Sequence, residues 1–234
     1  MPKIYIIIPT YNEKNNIIQV LEKIFELNIE GLNVLVVDDN SPDGTGEIVD
    51  KLKQSNLKLA VLHRKEKAGL GRAYIAGFKE VLPRGADYIF EMDADLSHDP
   101  KYIPEFLKAI KEYDLVLGSR YIKAGGVSNW NLSRRLISRF GNIYARFILG
   151  LPYRDLTGGF KCYQRRVLEK IDLDNLNSVG YNFQIETTYQ AHQAGFKIAE
   201  IPIIFTERAE GKSKFNGKII FESFYKVLIL RFKK

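Results

Sequence analysis

The strongest constraint on the fold is the regular alternation of short apolar runs with helical segments in the first half of the chain. Lys3–Pro9, Val34–Val37 and Tyr88–Glu91 are rich in apolar and β-branched residues and are bounded by turn residues. Between such runs, apolar residues recur at helical spacing. Strands that alternate with helices of roughly 10–15 residues form βαβ units, so the pattern predicts a mostly parallel sheet flanked by helices.

The same reasoning assigns elements through the rest of the chain. Further strands are predicted at Leu59–Leu62, Leu115–Leu117 and Lys197–Ile201, with a short strand or turn at Gly158–Cys162. Helices are predicted at Glu13–Leu27, from Gly44 to about Leu52, and at Leu70–Val81, Lys101–Glu112, Leu132–Leu149, Phe183–Ala194 and Ile219–Phe232. We therefore expect one α/β domain over residues 1–215 and a basic amphipathic C-terminal helix in residues 216–234.

Charge is concentrated in two segments of this basic chain, whose net charge is +7. Residues 120–166 hold ten Lys or Arg residues against one acidic residue, and residues 208–234 hold eight against two. Such asymmetry indicates an anionic partner, which could be a phosphate, a nucleic acid or a membrane surface. The alternative is that these are simply solvated surface charges.

The cellular compartment of the protein is predicted from the cysteine content and from the search for membrane-spanning and signal segments. Cys162 is the only cysteine, which excludes an intramolecular disulfide and fits a reducing cytoplasm. No apolar run approaches the roughly 18–20 residues that span a bilayer, and Met1-Pro2-Lys3 leads directly into a strand without the pattern of a signal peptide. The expectation is a cytoplasmic protein.

An acidic triplet, Asp93-Ala94-Asp95, follows the predicted strand Tyr88–Glu91. Ligands of open parallel sheets bind beyond the carboxyl ends of the strands. In an extended Asp-x-Asp, both carboxylates project to the same side, where hard oxygen ligands suit Mg²⁺ or Mn²⁺ carrying a diphosphate. The motif alone is weak, because two acidic residues in a turn are often only solvated.

Two other segments carry both a functional and a structural interpretation. Asp38-Asp39 ends the second strand, where a carboxylate can accept hydrogen bonds from a ribose or base, or can cap the next helix. Gly69-Leu70-Gly71 precedes a helix, but the dinucleotide fingerprint is absent because Tyr74 stands where a glycine is required. Tight backbone packing at that helix start is the favoured interpretation.

These residues, taken in order, resemble the inverting family 2 glycosyltransferases of the GT-A (Rossmann-like) fold, and among them the dolichol- or polyprenol-phosphate mannose synthases. The similarity covers about residues 3–215. The segments that carry it are Pro9-Thr10-Tyr11-Asn12-Glu13, Val36–Thr45, Met92–Pro100, Gly118-Ser119-Arg120-Tyr121, Asn129-Trp130, Arg134, Ser138, Asp155–Phe160 and Arg208–Phe215.

The resemblance implies transfer of mannose from GDP-mannose to a dolichyl or polyprenyl phosphate. It implies a nucleotide site lined by Pro9, Tyr11, Glu13, Val37 and Asp39, and a donor diphosphate and metal site at Asp93, Ala94, Asp95 and Ser97. Many relatives carry Gln where this chain has Ser97. The acceptor phosphate would be held by Arg120, Arg134 and Ser138, and Arg208 and Lys214 would close over the diphosphate.

The chemistry of such an acceptor agrees with the arginines. A phosphate monoester has a second pKa of about 6, so it is anionic at neutral pH and needs no general base. Arg120 and Arg134 can offer planar paired donors to it. The metal held at Asp95, together with Arg208 or Lys214, would stabilise the charge that develops on the leaving diphosphate. Asp155 could instead be a base for a hydroxyl acceptor, although it more readily orients Thr157 or an arginine. His98 has no evident partner in the sequence and is interpreted as structural.

Three alternatives stay open at this point. The donor could be UDP-glucose or another nucleotide sugar, and the chain could be a non-catalytic binding module, although paired acidic clusters are poor partners for nucleic acid. The C-terminal helix, with lysines flanking its apolar residues, suits peripheral membrane contact. It could equally pack on the core or on a membrane-protein partner subunit.

Overall fold

A computed structural model describes residues 1–176, 180–207 and 217–232. Its strands are β1 (Ile4–Thr10), β2 (Leu32–Asp38), β3 (Leu59–His63), β4 (Tyr88–Glu91), β5 (Leu115–Ser119), β6 (Gly126–Ser128), β7 (Lys161–Gln164), β8 (Ile198–Pro202) and β9 (Ile204–Thr206). Its helices are α1 (Ile17–Phe25), α2 (Thr45–Lys53), α3 (Leu70–Val81), α4 (Ile103–Ala109), α5 (Leu132–Leu149), α6 (Arg165–Lys170), α7 (Tyr181–Gln193) and α8 (Gly217–Phe232).

Within the described residues, the central sheet has seven strands in the order β3-β2-β1-β4-β7-β5-β8. The first half of the chain supplies four neighbouring parallel strands, as the alternation of strands and helices predicts. Strand β7 lies between β4 and β5 and is antiparallel to both, and β8 returns parallel to β5. The expectation of a mostly parallel sheet flanked by helices is confirmed.

The sheet is covered on both faces, which explains the nearly continuous apolar runs in its strands. In β1, Ile6, Ile7 and Ile8 are all fully buried. Ile6 and Ile8 belong to one hydrophobic cluster and Ile7 belongs to another, because successive side chains of a strand point to opposite faces of the sheet. Helix α3 approaches β1 very closely at Gly77, where an added Cβ would lie 2.6 Å from Ile7 Cγ2. A side chain at this position would push the helix off the sheet.

The structure differs from the sequence-based description in several places, one of which is the short helix α6, which the sequence pattern did not indicate. The strand or turn expected at Gly158–Cys162 is the strand β7, which begins three residues later, at Lys161, and runs antiparallel to β4 and β5. A short parallel pair, β6 with β9, forms a second sheet that the sequence did not indicate. The helix expected at Lys101–Glu112 is a 3₁₀ turn, Pro100–Tyr102, followed by the shorter α4.

The C-terminal helix α8 packs against α5 and α7. Val227 is 3% exposed and joins a cluster formed with α5 and α7, and the Tyr144 hydroxyl donates to the main-chain oxygen of Phe224 at 3.1 Å. Its other face stays exposed, with Tyr225 and Phe232 at 65% and 80%. Among the residues described, no helix combines the length and apolarity that crossing a membrane requires.

Candidate active site

Polar groups collect at one edge of the sheet, where the parallel strands β1, β2 and β4 end and the antiparallel β7 begins. Glu91 at the end of β4 is aligned with Lys161 at the start of β7. The loop before β7 therefore lies beside the segment after β4, between β4 and the end of β5. This arrangement brings Asp155–Phe160 between Asp93 and Arg120.

The acidic triplet is held in place by its neighbours. Asp93 Oδ1 accepts a hydrogen bond from the Tyr74 hydroxyl at 3.2 Å, and its side chain is 25% exposed. Asp95 is 5% exposed, and its Oδ1 accepts from the main-chain nitrogen and the hydroxyl of Ser97 at 3.1 and 2.5 Å. Ala94 is buried between them. Ser97 thus supports Asp95, and its role as a direct metal ligand stays a prediction.

His98 is structural, as the sequence analysis expects, and it has a specific partner that the sequence does not reveal. Its Nδ1 accepts a hydrogen bond from the main-chain nitrogen of Asp93 at 3.1 Å, and its ring stacks on Phe160 with centroids 5.1 Å apart. Burial lowers the pKa of His98 below its usual value. A neutral ring that accepts at Nδ1 carries its proton on Nε2. The partner is a backbone group, which a sequence pattern does not reveal.

The donor set at the triplet fits a small divalent cation. Carboxylate oxygens are the preferred ligands of Mg²⁺ and Mn²⁺, and Mg²⁺ commonly binds through one or two carboxylates plus substrate phosphates. Within the described ranges, no group of three or more His, Cys, Asp or Glu side chains is arranged to hold a metal. Asp93 and Asp95 are the two carboxylates that this segment offers to such a cation.

The end of β2 carries two aspartates with different roles. Asp38 is 3% exposed and accepts hydrogen bonds from the Thr10 hydroxyl and from the main-chain nitrogen and hydroxyl of Ser41, so it organises the turn. Asp39 forms an ion pair with Arg64, with Oδ1 and Nη1 2.5 Å apart. Burial raises the pKa of Asp39, and Arg64 opposes that rise. Asp39 is the carboxylate that could meet a nucleotide.

The other predicted nucleotide residues divide into two groups. The Tyr11 ring lies 3.5 Å from the Lys67 ammonium, and Glu13 accepts from the Asn16 amide at 2.9 Å; both are partly exposed, as is Pro9. Val37 is different, because its side chain is fully buried in the core against helix α3. Any contact between Val37 and a nucleotide would be through its main chain.

Arg120 forms a buried ion pair with Asp155. The guanidinium donates from Nε and Nη2 to the two carboxylate oxygens, each at 2.7 Å, and the main-chain nitrogen of Arg120 donates at 2.9 Å. Thr157 accepts a further bond from Nη2 at 2.8 Å. The expectation that Asp155 orients an arginine is confirmed. The idea that Arg120 offers its paired donors to a phosphate needs revision, since Nε and Nη2 already face Asp155.

Of the residues predicted to hold the acceptor phosphate, Arg120 and Arg134 lie at the indole ring of Trp130, and Ser138 contacts Tyr121. The guanidinium carbons of Arg134 and Arg120 are 4.0 and 5.5 Å from the Trp130 ring centroid. Arg134 Nη1 donates to Glu207 at 2.8 Å, and its side chain is only 13% exposed, so it is not a simple surface arginine. The Tyr121 hydroxyl donates to Ser138 at 2.7 Å.

Phe205 joins the acidic and basic halves of the site. Its ring centroid is 5.4 Å from that of His98 and 5.4 Å from that of Trp130. The structure therefore brings the two predicted subsites together across one aromatic side chain. Arg208 and Lys214 lie outside the described residues.

Beneath this edge lies a buried polar set that the sequence pattern does not predict. Lys161 is fully buried, and its Nζ donates to the Gln184 carbonyl, Thr187 and Thr188 at 2.6, 3.1 and 2.9 Å. Burial lowers the pKa of Lys161 to about 8, whereas burial raises the pKa of Glu91 to about 7. A lysine in a central strand has no distinctive sequence signal.

Comparison with known proteins identifies relatives over most of the chain. The description of the family model that matches residues 5–172 is Glycosyl transferase family 2. A polyprenol monophosphomannose synthase of Mycolicibacterium smegmatis is 46% identical over 224 residues, covering 95% of this chain and 84% of that protein. An undecaprenyl-phosphate mannosyltransferase of Micrococcus luteus is 45% identical over 221 residues, covering 94% and 90%.

Solved structures agree in fold at much lower identity. Glucosyl-3-phosphoglycerate synthase from Mycobacterium tuberculosis, in complex with Mn²⁺, UDP and phosphoglyceric acid, superposes with a TM-score of 0.72 at 18% identity, covering 98% of this chain and 78% of that chain. The same enzyme with Mg²⁺ and UDP gives 0.71 at 17% identity, covering 98% and 79%. The GT-A-like architecture of the present chain is therefore shared with a nucleotide-sugar enzyme.

Proposed function

The chain belongs to glycosyl transferase family 2, and on that premise we propose that it transfers mannose from GDP-mannose to a dolichyl or polyprenyl phosphate, giving polyprenyl-phosphate-mannose and GDP. The two relatives at 45–46% identity, whose names specify mannose or mannosyl transfer and a polyprenol or undecaprenyl phosphate, support this substrate class. The observation that carries the proposal is the placement of Arg120 and Arg134 around Trp130, with Phe205 packed between Trp130 and His98, three residues after Asp95.

The acceptor phosphate would bind on the basic side. Arg134 already pairs with the carboxylate of Glu207, which a phosphate monoester would replace with two anionic oxygens. The indole nitrogen of Trp130 is buried and has no hydrogen-bond acceptor within the described part of the chain, so it is a candidate donor to the same phosphate. Asp155 fixes the plane of the Arg120 guanidinium, which limits how that arginine can approach an anion.

The nucleophile in this proposal is the phosphate oxygen itself. Its charge at neutral pH removes the need for a general base. Asp155, the alternative base, is 1% exposed and is engaged by three hydrogen bonds from Arg120, so it is poorly placed to take a proton from a hydroxyl acceptor. A single displacement on the anomeric carbon inverts its configuration.

On the donor side, Asp93 and Asp95 would hold Mg²⁺ or Mn²⁺, which when bound neutralises charge on the departing diphosphate. Tyr74 and Ser97 hold the two carboxylates in position through the hydrogen bonds that they donate. Asp39, Tyr11 and Glu13 would contact the nucleotide. In this division, carboxylates bind the donor through a cation, and arginines bind the acceptor phosphate directly.

A lipid acceptor also requires contact with a membrane surface. Large apolar side chains form an exposed stripe along α5 at intervals of three or four residues, which places them on one face. They are Leu132, Leu136, Phe140, Ile143 and Phe147, exposed by 71%, 60%, 61%, 53% and 85%. Phe140 packs against Phe224 of α8, so the two helices present a joint apolar surface, with exposed Arg135 and Arg139 beside it. We place the peripheral membrane contact here, on the cytoplasmic face.

Incubation of the purified chain with Mn²⁺, a short polyprenyl phosphate and either GDP-mannose or UDP-glucose tests the proposal. The expected result is a β-linked mannosyl phospholipid from GDP-mannose only. Product from UDP-glucose and none from GDP-mannose would show that the proposed donor is wrong. An Asp95→Ala variant should lose turnover while keeping its fold and its lipid binding, and full turnover by this variant would contradict the donor site.

A further inference from the structure

Gln184 on α7 is a buried amide without good partners. It is 2% exposed, and neither Nε2 nor Oε1 makes a hydrogen bond of ordinary geometry to any described residue. Its amide makes a weak hydrogen-bonding contact with the Glu91 carboxyl, which lowers the pKa of that carboxyl but leaves Glu91 Oε2 without a bond of ordinary geometry among the described residues. Buried polar atoms in folded proteins are nearly always paired, because an unpaired one loses its hydrogen bonds to water without replacement.

The main chain of Gln184 is held in place by a buried lysine. The Gln184 carbonyl accepts from Lys161 Nζ at 2.6 Å, and the same ammonium holds Thr187 and Thr188 on the next turn of α7. Lys161 begins β7 at the active edge of the sheet. The amide is therefore carried by two packed elements, which is the support that a preorganised binding group needs.

Gly159 shows where this amide lies. A Cβ placed on Gly159 would be 3.6 Å from Gln184 Nε2, 3.8 Å from Asp93 Oδ1 and 3.5 Å from His98 Cε1. All three distances are ordinary van der Waals contacts, so one methyl group would fit. Because glycine has no side chain, a small space remains beside Gly159, bordered by the Gln184 amide, the Asp93 carboxylate and the His98 ring.

We propose that Gln184 is a specificity-determining residue that binds hydroxyl groups of the donor sugar in the space beside Gly159. A sugar hydroxyl both donates and accepts, and a primary amide answers with one acceptor and two donor hydrogens. The sugar is bonded directly to the diphosphate that Asp93 would hold, so it lies within reach. A phosphate ligand is disfavoured here, because the amide is neutral and Asp93 and Glu91 are acidic.

This inference rests on the proposed function, since it assigns a role at the same donor site. It is tested by comparing affinity for GDP-mannose with affinity for GDP, using calorimetric titration with Mn²⁺. The difference between the two isolates the contribution of the sugar. Gln184→Met keeps the side-chain length and removes the hydrogen bonds. Loss of two such bonds should weaken GDP-mannose binding by about 10- to 100-fold and leave GDP binding unchanged.

Gly159→Ala provides a second, independent variant. The added methyl fits the protein but occupies the space assigned to the sugar, so it should also reduce GDP-mannose binding selectively. Gly141→Ala is the matched control, because a Cβ there meets nothing within 4 Å. Thermal denaturation of all three variants reports whether the fold is intact.

Equal losses for GDP and GDP-mannose, or no loss for either in Gln184→Met, would overturn the proposal, as would a wild-type protein that binds both ligands equally tightly. If wild type instead distinguishes UDP-glucose from UDP, the proposed donor is wrong. The variants are then titrated with UDP-glucose and with UDP. The role of Gln184 stands only if Gln184→Met loses the difference in affinity between these two ligands.

Discussion

Replacing Asp155 by asparagine should destabilise the protein far more than the loss of one surface charge. The Asp155 side chain is fully buried, the Arg120 side chain is 5% exposed, and three hydrogen bonds join the two residues. Asparagine keeps the shape but turns one acceptor into a donor that faces a guanidinium. Breaking a buried pair on one side typically costs about 3–5 kcal/mol, a large share of the 5–15 kcal/mol that stabilises a domain.

Urea denaturation followed by circular dichroism measures this cost. Asp50→Asn is the control, since Asp50 pairs with His63 and Lys53 at the surface, with 37% of its side chain exposed, and its loss should cost less than about 1 kcal/mol. A change below about 1 kcal/mol in Asp155→Asn would refute the reasoning that Arg120 is held by a buried charge.

Removing both partners separates stability from activity. Replacement of a whole buried ion pair by apolar residues of similar size is often neutral or stabilising. The double variant Arg120→Met, Asp155→Leu should therefore recover most of the stability lost in Asp155→Asn. It should not recover mannosyl transfer, because the guanidinium is absent. Recovery of turnover together with stability would show that Arg120 has only a structural role.

Three further predictions concern the donor site, the membrane surface and pH. Asp93→Asn should lower kcat/KM by at least about 100-fold, and a Mn²⁺ titration should no longer reach wild-type turnover at any concentration. Phe147→Gln should weaken binding to anionic liposomes about tenfold in a flotation assay. Leu57→Gln, a fully exposed residue elsewhere, is the control that should have no effect. Burial raises the pKa of Glu91 from 4.5 to about 7, so the folded state binds more protons and the free energy of unfolding should fall as pH rises through that interval. Urea titrations of Glu91→Gln should lack this slope, and an unchanged slope would contradict the assignment.

The first half of the fold could be predicted from sequence because its local signals agree with its tertiary structure. Strands buried on both faces read as apolar runs, and α3 begins and ends where its spacing indicates, at Leu70 and Val81. The triplet Asp93-Ala94-Asp95 follows β4 as expected. Its position needs only the rule that parallel strands end at one edge of the sheet.

The rest depends on contacts that no local pattern encodes. Strands β6 and β9 have three residues each, too few for a periodicity to register. Lys161 would ordinarily argue against a central strand, yet it is fully buried and bound by three acceptors on α7. The partner of His98 is a backbone group, and the amide of Gln184 is distinguished by how poorly the described residues satisfy it, so neither feature has a sequence signal.

The reversal of β7 is what unites these unpredicted features with the site. A parallel strand in that place would begin at the opposite edge of the sheet and carry its preceding loop away from Asp93. Because β7 is antiparallel, Asp155 and Gly159 lie between the acidic triplet and Arg120. The same reversal puts Lys161 between two buried carboxylates, Glu91 and Asp155, whose attraction opposes the effect of burial on its pKa. Positive and negative groups therefore alternate along this edge of the sheet, from Glu91 through Lys161 and Asp155 to Arg120.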